Sequence, residues 1–126
     1  MVTFKDYDYV RPNMDEMKER VSALVKQFKA AETVEVQSEI IEKINAERNT
    51  FSTMANLVYI RASIDTNDTF YQAERDYFDE VGPIAEEIVF EYYKELVASK
   101  FRAELEAKWG TQLFALAENQ IKGFSP

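Results

Sequence analysis

The sequence contains no cysteine and no histidine. The first absence excludes disulfides, thiolate metal sites and a cysteine nucleophile. The second excludes imidazole general bases, Ser-His triads and the H-E-x-x-H zinc motif within this chain. Glycine and proline number three each, too few for a turn-rich β fold. No apolar run approaches the length of a membrane span. A surplus of bases is missing too: 15 Lys and Arg stand against 23 Asp and Glu, which argues against a nucleic-acid surface. The opening residues MVTFKDYDYVRP hold no apolar core of signal-peptide length. The expectation is a cytoplasmic protein with no nucleic-acid and no membrane partner.

What is present favours helices. The chain has 126 residues, enough for a single domain, residues 1–126, with a core that needs no staples. Residues 1–12 read as an extended aromatic arm carrying Phe4, Tyr7 and Tyr9, because Pro12 discourages a helical lead-in. Asn13 caps a first helix, with Glu16 completing a capping-box variant. Met14, Met17, Val21, Leu24 and Phe28 form its apolar stripe. After a joint at Glu32 and Thr33, a long second helix runs to about Ile64. Val36, Ile40, Ile44, Phe51, Met54 and Val58 mark its face.

A third helix begins near Asp68 or Thr69, and its stripe reads Phe70, Tyr77, Val81, Ile84, Ile88 and Leu96. Pro83 predicts a kink within it. Ser99 caps a fourth helix with Phe101, Leu105 and Trp109, which Gly110 ends. Thr111 caps a fifth with Leu113, Leu116, Ala117 and Ile121, and Gly123 stops it. The fold class is all-α: an antiparallel bundle of long helices, a helical hairpin stack, with a kinked third helix and two shorter C-terminal helices.

All the excess charge lies in residues 65–91, which hold nine acids and Arg75; the remaining 14 acids and 14 bases cancel, leaving the net charge of -8. Glu87, Glu91 and Glu95 fall at four-residue steps, with Asp76, Asp79 and Glu80 further up the helix. A carboxylate-only site would suit Mg or Ca. Two-metal bundles, however, use Glu-x-x-His pairs from facing helices, and the histidines are missing. A solvated face is the simpler reading. Nothing here is a nucleophile with a base beside it, so no catalytic and no metal residue is assigned, and no cofactor is expected in this chain.

Four strings resemble the amino-terminal part of oligoendopeptidase F, within the thimet-oligopeptidase-like zinc metallopeptidases. They are FKDYDYVRP (residues 4–12), RNTFSTMANLVYIRASIDTNDTFY (48–71), AERDYFDEVGP (73–83) and KWGTQLFALAENQIKGFSP (108–126). The resemblance covers nearly the whole chain. It implies a noncatalytic helical domain in the lobe that restricts a peptide channel, truncated before the catalytic part. The parent activity it implies is hydrolysis of short peptides. The parent's zinc is implied in the missing part, held by H-E-x-x-H and a downstream Glu. The partners implied are the missing catalytic lobe and, in the full enzyme only, short peptides.

On that reading Asp76, Asp79, Glu80, Glu87 and Glu91 form an acidic face that lines the channel or faces outward. Phe4, Tyr7, Tyr9, Trp109, Phe114 and Phe124 are candidates for docking on the lobe or for self-association as a homo-oligomer, with plain core packing as the bland alternative. The alternative function is a stand-alone helical interaction or dimerisation module.

Overall fold

The computed structural model describes residues 9–124, with side chains described for residues 9–123. Phe4 and Tyr7, and the side chain of Phe124, lie outside that range. The helices are α1 (Met14–Ala30), α2 (Val34–Ile64), α3 (Thr69–Val97), α4 (Arg102–Trp109) and α5 (Thr111–Phe124), and no strand occurs among the described residues.

Local chemistry explains the boundaries. The Asn13 side chain accepts from the Glu16 N–H at 3.1 Å, and Thr33 Oγ1 accepts from the Val36 N–H at 3.2 Å. Asp68 Oδ1 accepts from both Phe70 and Tyr71 N–H groups. Each cap satisfies donors that the first helical turn leaves orphaned. Gly110, at φ 93 and ψ 153, takes a positive-φ extended conformation between α4 and α5, which is essentially open to glycine alone. Pro83 lies inside α3 without ending it. Pro83 removes an N–H partner from the Asp79 carbonyl, and both residues are exposed.

Helix length sets the architecture. At 31 and 29 residues, α2 and α3 make a hairpin about 45 Å long at 1.5 Å per residue. With 17 residues, α1 can cover only half of it. The main core forms there: Val21, Phe28, Ile41 and Ile44 meet Tyr92, Leu96, Leu105 and Phe114. The shorter C-terminal helices close this end, α5 against α3 and α4 against α5 and α2. The far half of the hairpin has a smaller core of Val58, Phe78 and Val81, over which Tyr9 and Met54 pack. The extended arm takes the place of a helix there.

Two partly buried polar bridges join the C-terminal region to the α1 and α2 ends. Gln37 Nε2 donates to the Phe28 carbonyl at 3.0 Å, and its amide oxygen accepts from the Ser99 hydroxyl. The Trp109 indole N–H donates to Ser38 Oγ at 3.0 Å.

Several sequence expectations need correction. Val36, Phe70, Ile84 and Leu116, placed on buried stripes, are 42%, 54%, 42% and 43% exposed. For Phe70 and Ile84 the reason is that α3 packs against α1, α2 and α5. Its buried face is centred on Glu74, Phe78, Val89, Tyr92 and Tyr93, to one side of the Phe70 and Ile84 stripe. Ser99 does not cap α4: Phe101 holds that position, and Ser99 Oγ accepts the Phe101 N–H one residue earlier in the turn. Thr111 is the first residue of α5, and that helix runs through Gly123 to Phe124, since one glycine near a terminus costs only about 1 kcal/mol of propensity.

Candidate functional site

The acidic face does not form one continuous anionic wall. Asp76, Asp79, Glu80, Glu87 and Glu91 are all exposed. Asp79 accepts a hydrogen bond from the Tyr59 hydroxyl across the α2–α3 hairpin. Glu91 pairs with Lys94 at 2.7 Å. Further down, Glu87, Glu91 and Glu95 share a shallow groove with Lys18, Lys26 and Lys29 of α1, and Lys29 reaches Glu95 at 3.7 Å. The lower half of the row therefore faces bases. Of the five candidates, Asp76, Asp79 and Glu80 do not line that groove. Among the described residues no group of three or more His, Cys, Asp or Glu side chains could hold a metal ion. With no histidine in the sequence either, these donors do not fit the catalytic zinc site that the resemblance implies.

The acid that matters most to the fold is a different one. Glu74 is 4% exposed. Its Oε1 accepts from the Tyr9 hydroxyl at 2.6 Å and from Arg11 Nε at 2.9 Å. Its Oε2 accepts from a second Arg11 nitrogen, which makes the pair bidentate. The Arg11 guanidinium also lies over the Tyr77 ring, 4.1 Å from its centroid, and the Tyr77 hydroxyl donates to the Pro12 carbonyl at 2.7 Å. Tyr9 meets Phe70, Tyr71 and Phe78 edge-on at 6.1–6.3 Å.

The electrostatics agree with this geometry. The hydrogen bonds from Arg11 are the main reason the Glu74 carboxyl is held below its ordinary range, with the Tyr9 bond adding to the effect and burial opposing it. Burial, then the Glu74 carboxylate, pushes the Tyr9 hydroxyl up, so it stays a donor. The reading of the sequence missed Glu74 by treating residues 65–91 as a polar face. A signal was available: Glu74 stands four residues before Phe78 and three before Tyr77, on the inward side of α3, and the arm supplies Arg11.

The aromatic docking candidates are largely used by the domain itself. Tyr9 is packed on α3, and half-buried Trp109 is tied to Ser38. Phe114, 1% exposed, belongs to the main core and has no surface to offer a lobe or a second copy. The large apolar side chains most open to solvent are Ile64 at 70%, Val10 at 68% and Phe70 at 54%. Ile64 and Phe70 flank the turn at the tip of the α2–α3 hairpin. No helix among the described residues is long and apolar enough to cross a membrane.

Comparison with known proteins gives this geometry a context. Residues 4–124 match the Peptidase M3 N-terminal domain. No curated protein matches the chain. PZ peptidase A, solved with an inhibitor, is 49% identical, with a TM-score of 0.93 over 98% of this chain and 22% of its own. A protein assigned to oligoendopeptidase F from Bacillus anthracis strain Ames is 50% identical, with a TM-score of 0.93 over 98% of this chain and 23% of its own. A further structure assigned to oligoendopeptidase F is 44% identical, with a TM-score of 0.93 over all of this chain and 22% of its own. The chain thus spans under a quarter of the length of these structures. With the five-helix order, the arm and the family match in agreement, the chain belongs to the Peptidase M3 N-terminal domain family.

Proposed function

We propose that the chain is the noncatalytic amino-terminal domain of an oligoendopeptidase F-type zinc metallopeptidase, and that it forms part of the lobe bounding the channel through which short peptides reach the metal. The observation that carries this reading is the fit of 98–100% of the chain onto 22–23% of three solved peptidase chains, each at a TM-score of 0.93. The zinc and the water-activating carboxylate then belong to the remaining polypeptide, since this chain has no His. Its own contribution is shape. The α2–α3 hairpin is a rigid wall about 45 Å long, stiffened over half its length by α1 and over the rest by the arm. Exposed Ile64 and Phe70 at its tip are the contact points this reading assigns to the remaining polypeptide. Asp76, Asp79 and Glu80 are assigned to the outer wall.

The test is a domain exchange. The matching segment of an oligoendopeptidase F is replaced by this chain, and hydrolysis of short peptides is measured. The expected result is a soluble chimera that cleaves them, while the 126-residue chain alone neither cleaves peptides nor retains zinc on elemental analysis. Peptide hydrolysis by the chain alone, or a folded, zinc-loaded chimera with no activity, would overturn the assignment. The exposed hairpin tip equally supports a free-standing interaction module. That reading predicts a dimer by light scattering that Ile64→Ser and Phe70→Ser abolish.

A further inference from the structure

An open cleft of about 320 Å³ is lined by residues of α1, α2, α3 and α5, within the size range of small-ligand sites. Met17, Phe51 and Val89 give it apolar walls. Arg48 and Tyr93 also line it, and the Arg48 guanidinium lies over the Tyr93 ring, 5.4 Å from the centroid. Neither the guanidinium nor the Tyr93 hydroxyl has a hydrogen-bond or ion-pair partner among the described residues. By contrast Arg11, Arg20 and Arg102 each hold a carboxylate.

Tyr93 is 4% exposed, yet its hydroxyl is not sealed in. The enclosed, unpaired side-chain polar atom among the described residues is Tyr92 Oη. The Tyr93 hydroxyl thus keeps an opening, and Tyr93 borders this cleft. Glu86 lies on the same cleft but is exposed and makes no ion pair with Arg48. A guanidinium held over a ring face can still present its N–H groups to an oxyanion. Donors held without protein partners in a concavity gain a hydrogen bond when an acceptor enters it.

A carboxylate satisfies this arrangement. Two oxygens match the guanidinium edge, and a third hydrogen bond comes from the phenol. We propose that this cleft binds a carboxylate carried on an apolar body, the carboxylate accepting from Arg48 and the Tyr93 hydroxyl while the body rests on Met17, Phe51 and Val89. Such a carboxylate comes either from a free chain terminus or from an Asp or Glu side chain. The inference does not rest on the peptidase reading and is tested on this chain alone.

The experiment is an NMR titration of the labelled chain with N-acetyl-leucine, N-acetyl-leucyl-aspartate amide and the neutral control N-acetyl-leucinamide, at constant ionic strength. Saturable shifts of the Arg48 Nε–H and of the cleft amides are expected with an acid and not with the control. A response to N-acetyl-leucine alone identifies a terminal carboxylate, and a response to the aspartyl probe identifies a side chain. Arg48→Gln is expected to weaken binding at least about tenfold, the loss of a charge-assisted pair. Tyr93→Phe, which keeps the ring, should weaken it several-fold and serves if the first variant fails to fold. No saturable shift with either acid, an equal shift with the neutral amide, or unchanged affinity in the variants would overturn the proposal.

Discussion

Replacing Glu74 by Gln probes the contact that ties the arm to the hairpin. The substitution keeps the shape and removes the charge. In the native protein one carboxylate accepts from Tyr9 and, on both oxygens, from Arg11. A hydrogen bond to a charged group contributes roughly 1.5–3 kcal/mol. Two features scale that figure down. The Arg11 side chain is 51% exposed, so its share falls toward the 0–1 kcal/mol of surface pairs. The Gln oxygen still accepts one bond. The expected loss is about 1–2 kcal/mol. Glu74→Ala, which leaves the half-buried Tyr9 hydroxyl without its acceptor, should cost about 2–3 kcal/mol.

Urea unfolding followed by circular dichroism measures the stability change. Chymotryptic cleavage after Tyr9 measures release of the arm and should quicken in both variants. The pH dependence has a defined sign. Glu74 is held below its ordinary value of 4.5 when folded. Its contribution is therefore complete above that value and is lost as pH falls through the lowered folded value. The variants should lose their deficit relative to the native chain in that acidic window. If Glu74→Gln matches the native chain within about 0.3 kcal/mol and its arm is cut no faster, the clamp does not hold the arm and the reasoning is refuted.

Further outcomes follow from single residues. Tyr92→Phe should be neutral or stabilising by up to about 1 kcal/mol, because the Tyr92 hydroxyl is fully buried without a partner among the described residues; a loss above 1 kcal/mol in urea unfolding would count against that. Gly110→Ala should cost about 1–2 kcal/mol through backbone strain alone, since φ is +93 and a Cβ there meets nothing within 4 Å; an unchanged midpoint would remove the strain argument. In the domain-exchange chimera, reversing Asp76, Asp79 and Glu80 to Lys should leave the ratio of basic to acidic peptide turnover within about twofold if they form the outer wall. A larger shift, of the size electrostatic steering gives, would place them at the channel.

The helices were legible because their signals are local. Asn13, Thr33 and Asp68 act as side-chain caps on the next few residues of chain, and apolar spacing needs no partner to be read. The resemblance to oligoendopeptidase F rested on strings that lie, but for the last two residues, within the family match over residues 4–124. Element type, order and family were therefore determined by the sequence itself. What packs on which side of a helix was not. Periodicity gives a face but no neighbours, so it buried Phe70 and Ile84 and overlooked Glu74.

Tertiary structure decided those cases by length. A 17-residue α1 cannot cover a 31-residue α2, so the arm must continue the layer. That brings Arg11 and Tyr9 onto an acid 63 and 65 residues away. Packing of α1, α2, α3 and α5 likewise leaves Arg48 and Tyr93 at an open cleft. No short-range pattern encodes either meeting. Each arises where elements of unequal length end, and that is set by packing.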